Sequence, residues 1–128
     1  MPKISIIIVN YNGKGFMRGC LEALQGQTFK DFEVIIVDNG SLDDSLYETK
    51  KYLKESSIGS FVKLVPLNKN QGFAGGQLEG LKHACGEYIA LLNNDAEPDG
   101  RWLEELVKAM DNDPKVGICA SKLIVYGR

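Results

Sequence analysis

Three apolar runs in this chain each break off into amides and carboxylates, and that pattern restricts the folds open to it. Ile4 to Val9 runs into Asn10-Tyr11-Asn12, Val34 to Val37 into Asp38-Asn39, and Tyr88 to Leu92 into Asn93-Asn94-Asp95. Short, near-continuous apolar runs read as strands buried on both faces, as at the centre of a parallel sheet. A helical period falls after the first of them: Met17, Cys20, Leu21 and Leu24 recur at i, i+3, i+4 and i+7, and Gly26 stops the helix. Strand and helix patterns alternate along the whole chain. This predicts an α/β fold of three layers, α/β/α, with a mostly parallel central sheet. In open sheets of this kind ligands bind in the crevice beyond the carboxyl ends of the strands. The polar tips are therefore the candidate site.

The remaining elements follow the same logic. The second strand is Phe32 to Val37. A second helix opens with a capping box, Ser41 as N-cap and Asp44 three residues on, and turns Leu46, Thr49 and Leu53 inward. A third strand, Phe61 to Val65, stops at Pro66. The loop Leu67 to Gly76 leads into a third helix with Leu78, Leu81 and Cys85 as its apolar stripe and Gly86 as its stop. The fourth strand is Tyr88 to Leu92. The fourth helix follows Pro98-Asp99, turns Trp102, Leu103, Leu106 and Met110 to the core, and ends at Pro114; Trp102 reads as core. A fifth strand is expected at Val116 to Ala120. Lys122 to Arg128 is still strand-like, so the chain is expected to be cut short there. An edge exposed at Ile118 to Ile124 would be open to pairing with another chain.

The 128 residues suit one domain. A formal net charge of -2 gives no basic field, so no nucleic-acid partner is expected. Lys50, Lys51 and Lys54 read as the solvated face of a helix, and His83 as solvent-facing. Cys20, Cys85 and Cys119 have no metal-ligand spacing, and read as buried free thiols in a reducing compartment. No run approaches the roughly 20 apolar residues of a membrane helix, and no signal-peptide core is present. A cytoplasmic chain with no membrane span is expected.

The tips suit a nucleoside diphosphate. Asp38 can accept from a pyrimidine N3–H, with Asn10-Tyr11-Asn12 supplying matching contacts and Tyr11 packing against the base; equally, Asp38 can cap the Asn39-Gly40 turn. A diphosphate calls for a divalent cation, and Mg²⁺ or Mn²⁺ takes one or two carboxylates together with phosphate oxygens. Asp95 fits that role with Asn93 beside it, or it is simply a turn residue before the fourth helix. In the loop Asn68 to Gly76, Gly72, Gly75 and Gly76 allow close backbone approach, and the following helix start favours an anion. No GK[ST] and no GxGxxG occurs there.

Taken together, Val9-Asn10-Tyr11-Asn12, Val37-Asp38-Asn39-Gly40-Ser41, Asn70-Gln71-Gly72-Phe73-Ala74-Gly75-Gly76 and Leu92-Asn93-Asn94-Asp95 resemble family 2 of the inverting glycosyltransferases. The Gly-Phe-Ala-Gly-Gly loop and Asn-Asn-Asp tip are similar to its rhamnosyltransferase-like branch. The resemblance spans nearly the whole chain. It implies the Rossmann-like GT-A fold and transfer of a sugar from a UDP- or dTDP-linked donor to a hydroxyl acceptor such as a growing glycan, with Mg²⁺ or Mn²⁺. By position, Asp38 would contact the base, Asn10 and Tyr11 would line the nucleoside site, Gly72 to Ala74 would lie near the ribose or sugar, and Asp95 would bind the metal. The implied site comprises Val9, Asn10, Tyr11, Asn12, Asp38, Asn39, Gly72, Phe73, Ala74, Asn93, Asn94 and Asp95.

Two positions depart from the family pattern: Asn93 stands first in the DxD-type motif, and Gln77-Leu78 replaces a pair of asparagines. The general base of the family lies beyond residue 128, so none is assigned. Residues 1–128 would then be the nucleotide-sugar-binding part, without the acceptor half, of an enzyme placed in the cytoplasm or at the inner membrane face. Two rivals stay open: a binding module without catalysis, and a sugar-1-phosphate nucleotidyltransferase using Lys14.

Overall fold

The isoleucine-rich run at the N-terminus takes the centre of the sheet. In a computed structural model, which describes residues 1–113, β1 (Ile4–Asn10) is flanked by β2 (Phe32–Asp38) and β4 (Tyr88–Leu91), with β3 (Val62–Pro66) outside β2. The order is β3-β2-β1-β4, and every pairing is parallel. Ile6, Ile7 and Ile8 are fully buried, each worth roughly 1.5–3 kcal/mol of apolar transfer.

Alternate β1 and β2 residues serve opposite layers. Ile4, Ile6, Ile8, Phe32, Val34 and Ile36 pack with Met17, Cys20, Leu21 and Leu24 of α1 (Met17–Gln25), with Tyr52 and Leu53 of α2 (Ser45–Glu55), and with Leu103 of α4 (Trp102–Asn112). The other face carries α3 (Gly72–Leu81), which lies across β1 and β2. This is the three-layer arrangement the alternation predicts. The stripe of α1 is buried as read, with Gly26 as its C-cap; Lys50, Lys51, Lys54 and His83 are exposed.

Several expectations are corrected. α3 does not bury Leu78 and Leu81, which are 60% and 43% exposed; it meets the sheet through Gly76 and Gly80 instead. A Cβ on Gly80 would stand 2.6 Å from Ile7 Cγ2, and one on Gly76 2.8 Å from Val9 Cγ1. Glycine is the contact surface because the backbone itself rests on the strands. The helix also begins at Gly72, inside the expected loop, and ends at Leu81. Cys85 therefore lies outside it and is exposed, not buried; Cys20 is buried as expected.

β4 is not buried on both faces: Ile89 and Leu91 are 43% and 60% exposed, while α3 packs on β1 and β2. The capping box is also absent. α2 starts at Ser45, where Asp43 Oδ1 accepts from the Ser45 N–H, while Ser41 is taken up by Asp38. In α4 only Leu103 is fully buried, with Trp102 and Val107 packed beside it. A short 3-10 helix, Ser57–Phe61, precedes β3 and pushes its start to Val62. The expected fifth strand and Cys119 lie outside the described residues.

The amino ends of the strands are tied together by Glu33. Burial raises the proton affinity of this carboxylate. The Ser5 hydroxyl, the Cys85 N–H and Lys63 outweigh that and hold it below its ordinary range. Polar tension at this end is thus satisfied internally, and the open end of the sheet is the carboxyl end.

Gly80→Ala is expected to destabilise the chain by about 1–3 kcal/mol by overpacking against Ile7, whereas Leu78→Ala changes stability by less than about 0.5 kcal/mol. Chemical denaturation of the two variants measures both.

Candidate functional site: a cleft at the strand tips

Register decides which side chains meet. Asn10 is the direct partner of Asp38 across β1 and β2, and β4 runs beside β1 from Ile4↔Tyr88 to Ile7↔Leu91. Continued past the strand, that pairing sets Asn94 beside Asn10. The carboxyl ends open into a cleft of about 450 Å³ lined by Val9 and Tyr11 from β1, Asn39 from β2, Asn70, Gly72 and Phe73 at the start of α3, and Asn93, Asn94 and Asp95 after β4.

Eight of the twelve residues expected at the site line this cleft. Asp38, Asn10, Asn12 and Ala74 do not. Asp38 is 2% exposed: its Oδ1 accepts from Asn10 Nδ2 at 2.9 Å and Ser41 Oγ at 2.8 Å, and its Oδ2 from the Ser41 N–H at 3.0 Å. Asn10 is buried beneath the cleft at 1% exposure. Asn12, at φ 52°, has a left-handed backbone that asparagine tolerates. Its Oδ1 accepts from the Leu42 N–H at 2.8 Å, tying the β1 tip to the loop after β2.

Asn39 holds the glycine segment. Its Nδ2 donates to the Gly72 carbonyl and its Oδ1 accepts from the Gln71 N–H, both at 2.9 Å. Gly72 turns at φ 79°, and Asn70 Oδ1 accepts from its N–H at 2.7 Å. A side chain at Gly72 would meet open space, so the backbone angle is what demands glycine there. Asn70 was not among the expected site residues; an asparagine two residues before a glycine turn is the available signal, because its side chain closes a local turn on the backbone.

Asp95 is exposed on the turn after β4, where the Ala96 N–H reaches the Asn93 carbonyl at 3.1 Å. It is the only charged side chain lining the cleft among the described residues. Behind the tip, burial pushes the Cys20 thiol up to about 12, with Asp95 and Glu97 adding to the shift. A thiol so placed stays protonated and serves as packing. Two aromatic side chains border the opening, Tyr11 at 42% and Phe73 at 62% exposure.

Among the described residues, no three His, Cys, Asp or Glu side chains cluster to cage a metal. Asp95 beside two carboxamides instead offers one carboxylate, which suits an ion that completes its shell with water and phosphate oxygens. Trp102 packs against the core, away from the cleft.

A parallel sheet of this order with its cleft at the carboxyl tips is a Rossmann-like α/β fold, and its likeness to solved glycosyltransferases makes it of the GT-A type. Solved structures of that class superpose on it: the mannosyltransferase PcManGT from Pyrobaculum calidifontis, in complex with GDP-Man and Mn²⁺, has a TM-score of 0.83 and 27% identity over 91% of this chain and 34% of its own. S. aureus TarS 1-349, in complex with UDP-GlcNAc, has a TM-score of 0.76 and 27% identity over 86% of this chain and 31% of its own. Residues 5–127 match the family model "Glycosyl transferase family 2", and the chain belongs to that family.

Curated relatives include the cholesterol galactosyltransferase of Borreliella burgdorferi, 31% identical over 97% of this chain and 34% of the relative. Another is the GalNAc(5)-diNAcBac-PP-undecaprenol beta-1,3-glucosyltransferase of Campylobacter jejuni, 32% identical over 76% of this chain and 31% of the relative. The chain spans about a third of the length of each of these two relatives. No described helix is long and apolar enough to cross a membrane.

Asn39→Ala removes both bonds to the α3 entry and leaves the Gln71 N–H and Gly72 carbonyl without those partners. A loss of about 1–3 kcal/mol in unfolding free energy is expected, together with faster amide exchange at Gln71 to Phe73 than in the parent chain.

Proposed function

We propose that residues 1–128 are the nucleotide-sugar-binding part of a transferase that moves a sugar from a nucleoside diphosphate to a hydroxyl acceptor with inversion. The donor is UDP- or dTDP-linked, the acceptor is a growing glycan of the cell surface, and the enzyme belongs to the rhamnosyltransferase-like branch. It works in the cytoplasm or at the inner membrane face. The observation that carries this reading is the charge of the cleft. Among the described residues Asp95 is the one carboxylate lining a cavity that also takes in the glycine-rich start of a helix and two aromatic side chains.

Each part then has a task. Tyr11 packs against the base, and Asp38, buried beneath the cleft, holds the strand tips together through Asn10 and Ser41. The start of α3 at Gly72, held by Asn39, presents the positive end of the helix to phosphate oxygens. Asp95 would hold Mg²⁺ or Mn²⁺, with Asn93 beside it. A divalent ion bound there supplies Lewis-acid stabilisation of the leaving diphosphate. The nucleotidyltransferase alternative requires Lys14 at the phosphates; Lys14 instead pairs with Asp44 at 3.3 Å and does not line the cleft.

Calorimetric titration with UDP, dTDP and GDP, with and without Mn²⁺, tests the reading. One nucleotide is expected to bind, with Mn²⁺ strengthening it at least ~5-fold, and Asp95→Ala is expected to abolish that strengthening. Equal metal dependence in Asp95→Ala would sink the metal assignment, and sugar transfer by the isolated chain would eliminate the non-catalytic alternative.

A further inference from the structure

One buried side chain joins the two ends of the cleft. Asn10 Nδ2 donates to Asp38 Oδ1 at 2.9 Å and to Ser45 Oγ at 3.0 Å, while its Oδ1 accepts from Asn94 Nδ2 at 2.9 Å. Its orientation is fixed by these partners. Asp38 Oδ1 is an acceptor, and the Ser45 hydroxyl is already donating to Asp43, so the Nδ2 end must face them. Only the oxygen end is left for Asn94. Asn94 is the residue next to Asp95, on the turn closed by Asn93 and Ala96. The main chain at Gly13 passes directly over the Asn10–Asn94 bond: a Cβ there would stand 2.1 Å from Asn10 Oδ1 and 2.3 Å from Asn94 Nδ2. The bond is therefore covered on that side, and a Cβ at position 13 would force it to shift.

We propose that Asn10 is a positioning residue that couples the two ends of the site: a divalent ion strengthens nucleoside-diphosphate binding only while the Asn10–Asn94 hydrogen bond fixes the Asp95 turn against the β1–β2 tips. The proposal rests on the donor-binding reading above. Asn10 touches neither nucleotide nor metal; it acts through Asp38 at one end of its carboxamide and through Asn94 at the other. With the bond cut, Asp95 sits on a turn whose only other side-chain tie among the described residues is the weak 3.8 Å contact from the Cys20 thiol to the Asn93 carbonyl. Metal binding must then order that turn, and the ordering cost is drawn from the coupling.

Two variants cut the bond from opposite sides. Gly13→Ala wedges it and changes no polar group; Asn94→Ala removes the donor at a half-buried position and is expected to leave the chain folded, which a melting curve on each variant checks. The quantity read is the ratio of the UDP (or dTDP) dissociation constants without and with Mn²⁺. Starting from a wild-type ratio of at least ~5, the ratio is expected to fall toward 1 in both variants, by a larger factor than the metal-free affinity falls. A folded variant that keeps the wild-type ratio overturns the proposal, as does a proportional loss of metal-free and metal-assisted binding, which a merely structural role produces. If the wild-type chain itself shows no metal-strengthened binding, the donor-binding reading falls, and this proposal with it.

Discussion

Everything at the carboxyl end of this sheet depends on the in-register parallel pairing of β1 with its two neighbours. That pairing opposes Asn10 to Asp38 on one side and carries Asn94 alongside Asn10 on the other. A slip of one residue would turn every side chain of β1 to the other layer. It would also replace the buried amide–carboxylate contact with Val9 or Tyr11. The isoleucines that fill both layers therefore do more than hold the sheet together; they fix the alignment in which three polar tips reach a common cleft.

The two ends of the sheet are handled differently. At the amino end Glu33, Ser5, Lys63 and the Cys85 N–H satisfy one another. At the carboxyl end the deeper layer is closed in the same way, through Asn10, Asp38, Ser41 and Asn39, but the layer above it is left open with Asp95, Phe73 and Tyr11 exposed. A rigid, hydrogen-bonded floor under an open rim is the arrangement that lets a site hold its geometry before a ligand arrives. The glycines of α3 serve the same end. By bringing the helix backbone onto Val9 and Ile7, Gly76 and Gly80 set Gly72 at the rim.

Much of the fold was legible because the strands of a parallel sheet are nearly all apolar and α1 has a clean stripe. The third helix was misread for a physical reason. A period search looks for large apolar residues, and α3 packs by their absence, so Leu78 and Leu81 drew attention to the wrong face. β4 was expected to be covered on both sides because its sequence resembles β1; coverage depends on which neighbours lie above a strand, and periodicity does not report that. At the site, residue types were readable but not depth. The sequence singles out Asp38 and Asn10 together with Asp95 and Tyr11, yet the first two lie beneath the cleft and the last two border it. Ser41 was read as a helix cap, whereas the structure commits its N–H and hydroxyl to Asp38. Gly13 carried no signal, since its constraint comes from Asn94, distant in sequence.

The central claim is that the cleft at the strand tips holds a nucleoside diphosphate with a divalent ion at Asp95. Paramagnetic broadening of backbone amides by substoichiometric Mn²⁺ in the presence of UDP or dTDP tests it most directly. The account predicts that Asn93 to Ala96 and Gly72 to Phe73 broaden together, and that amides at the other end of the sheet, at Cys85 and Gly86, stay sharp. Broadening that is independent of nucleotide, or that spares Asp95 and its neighbours, would contradict it.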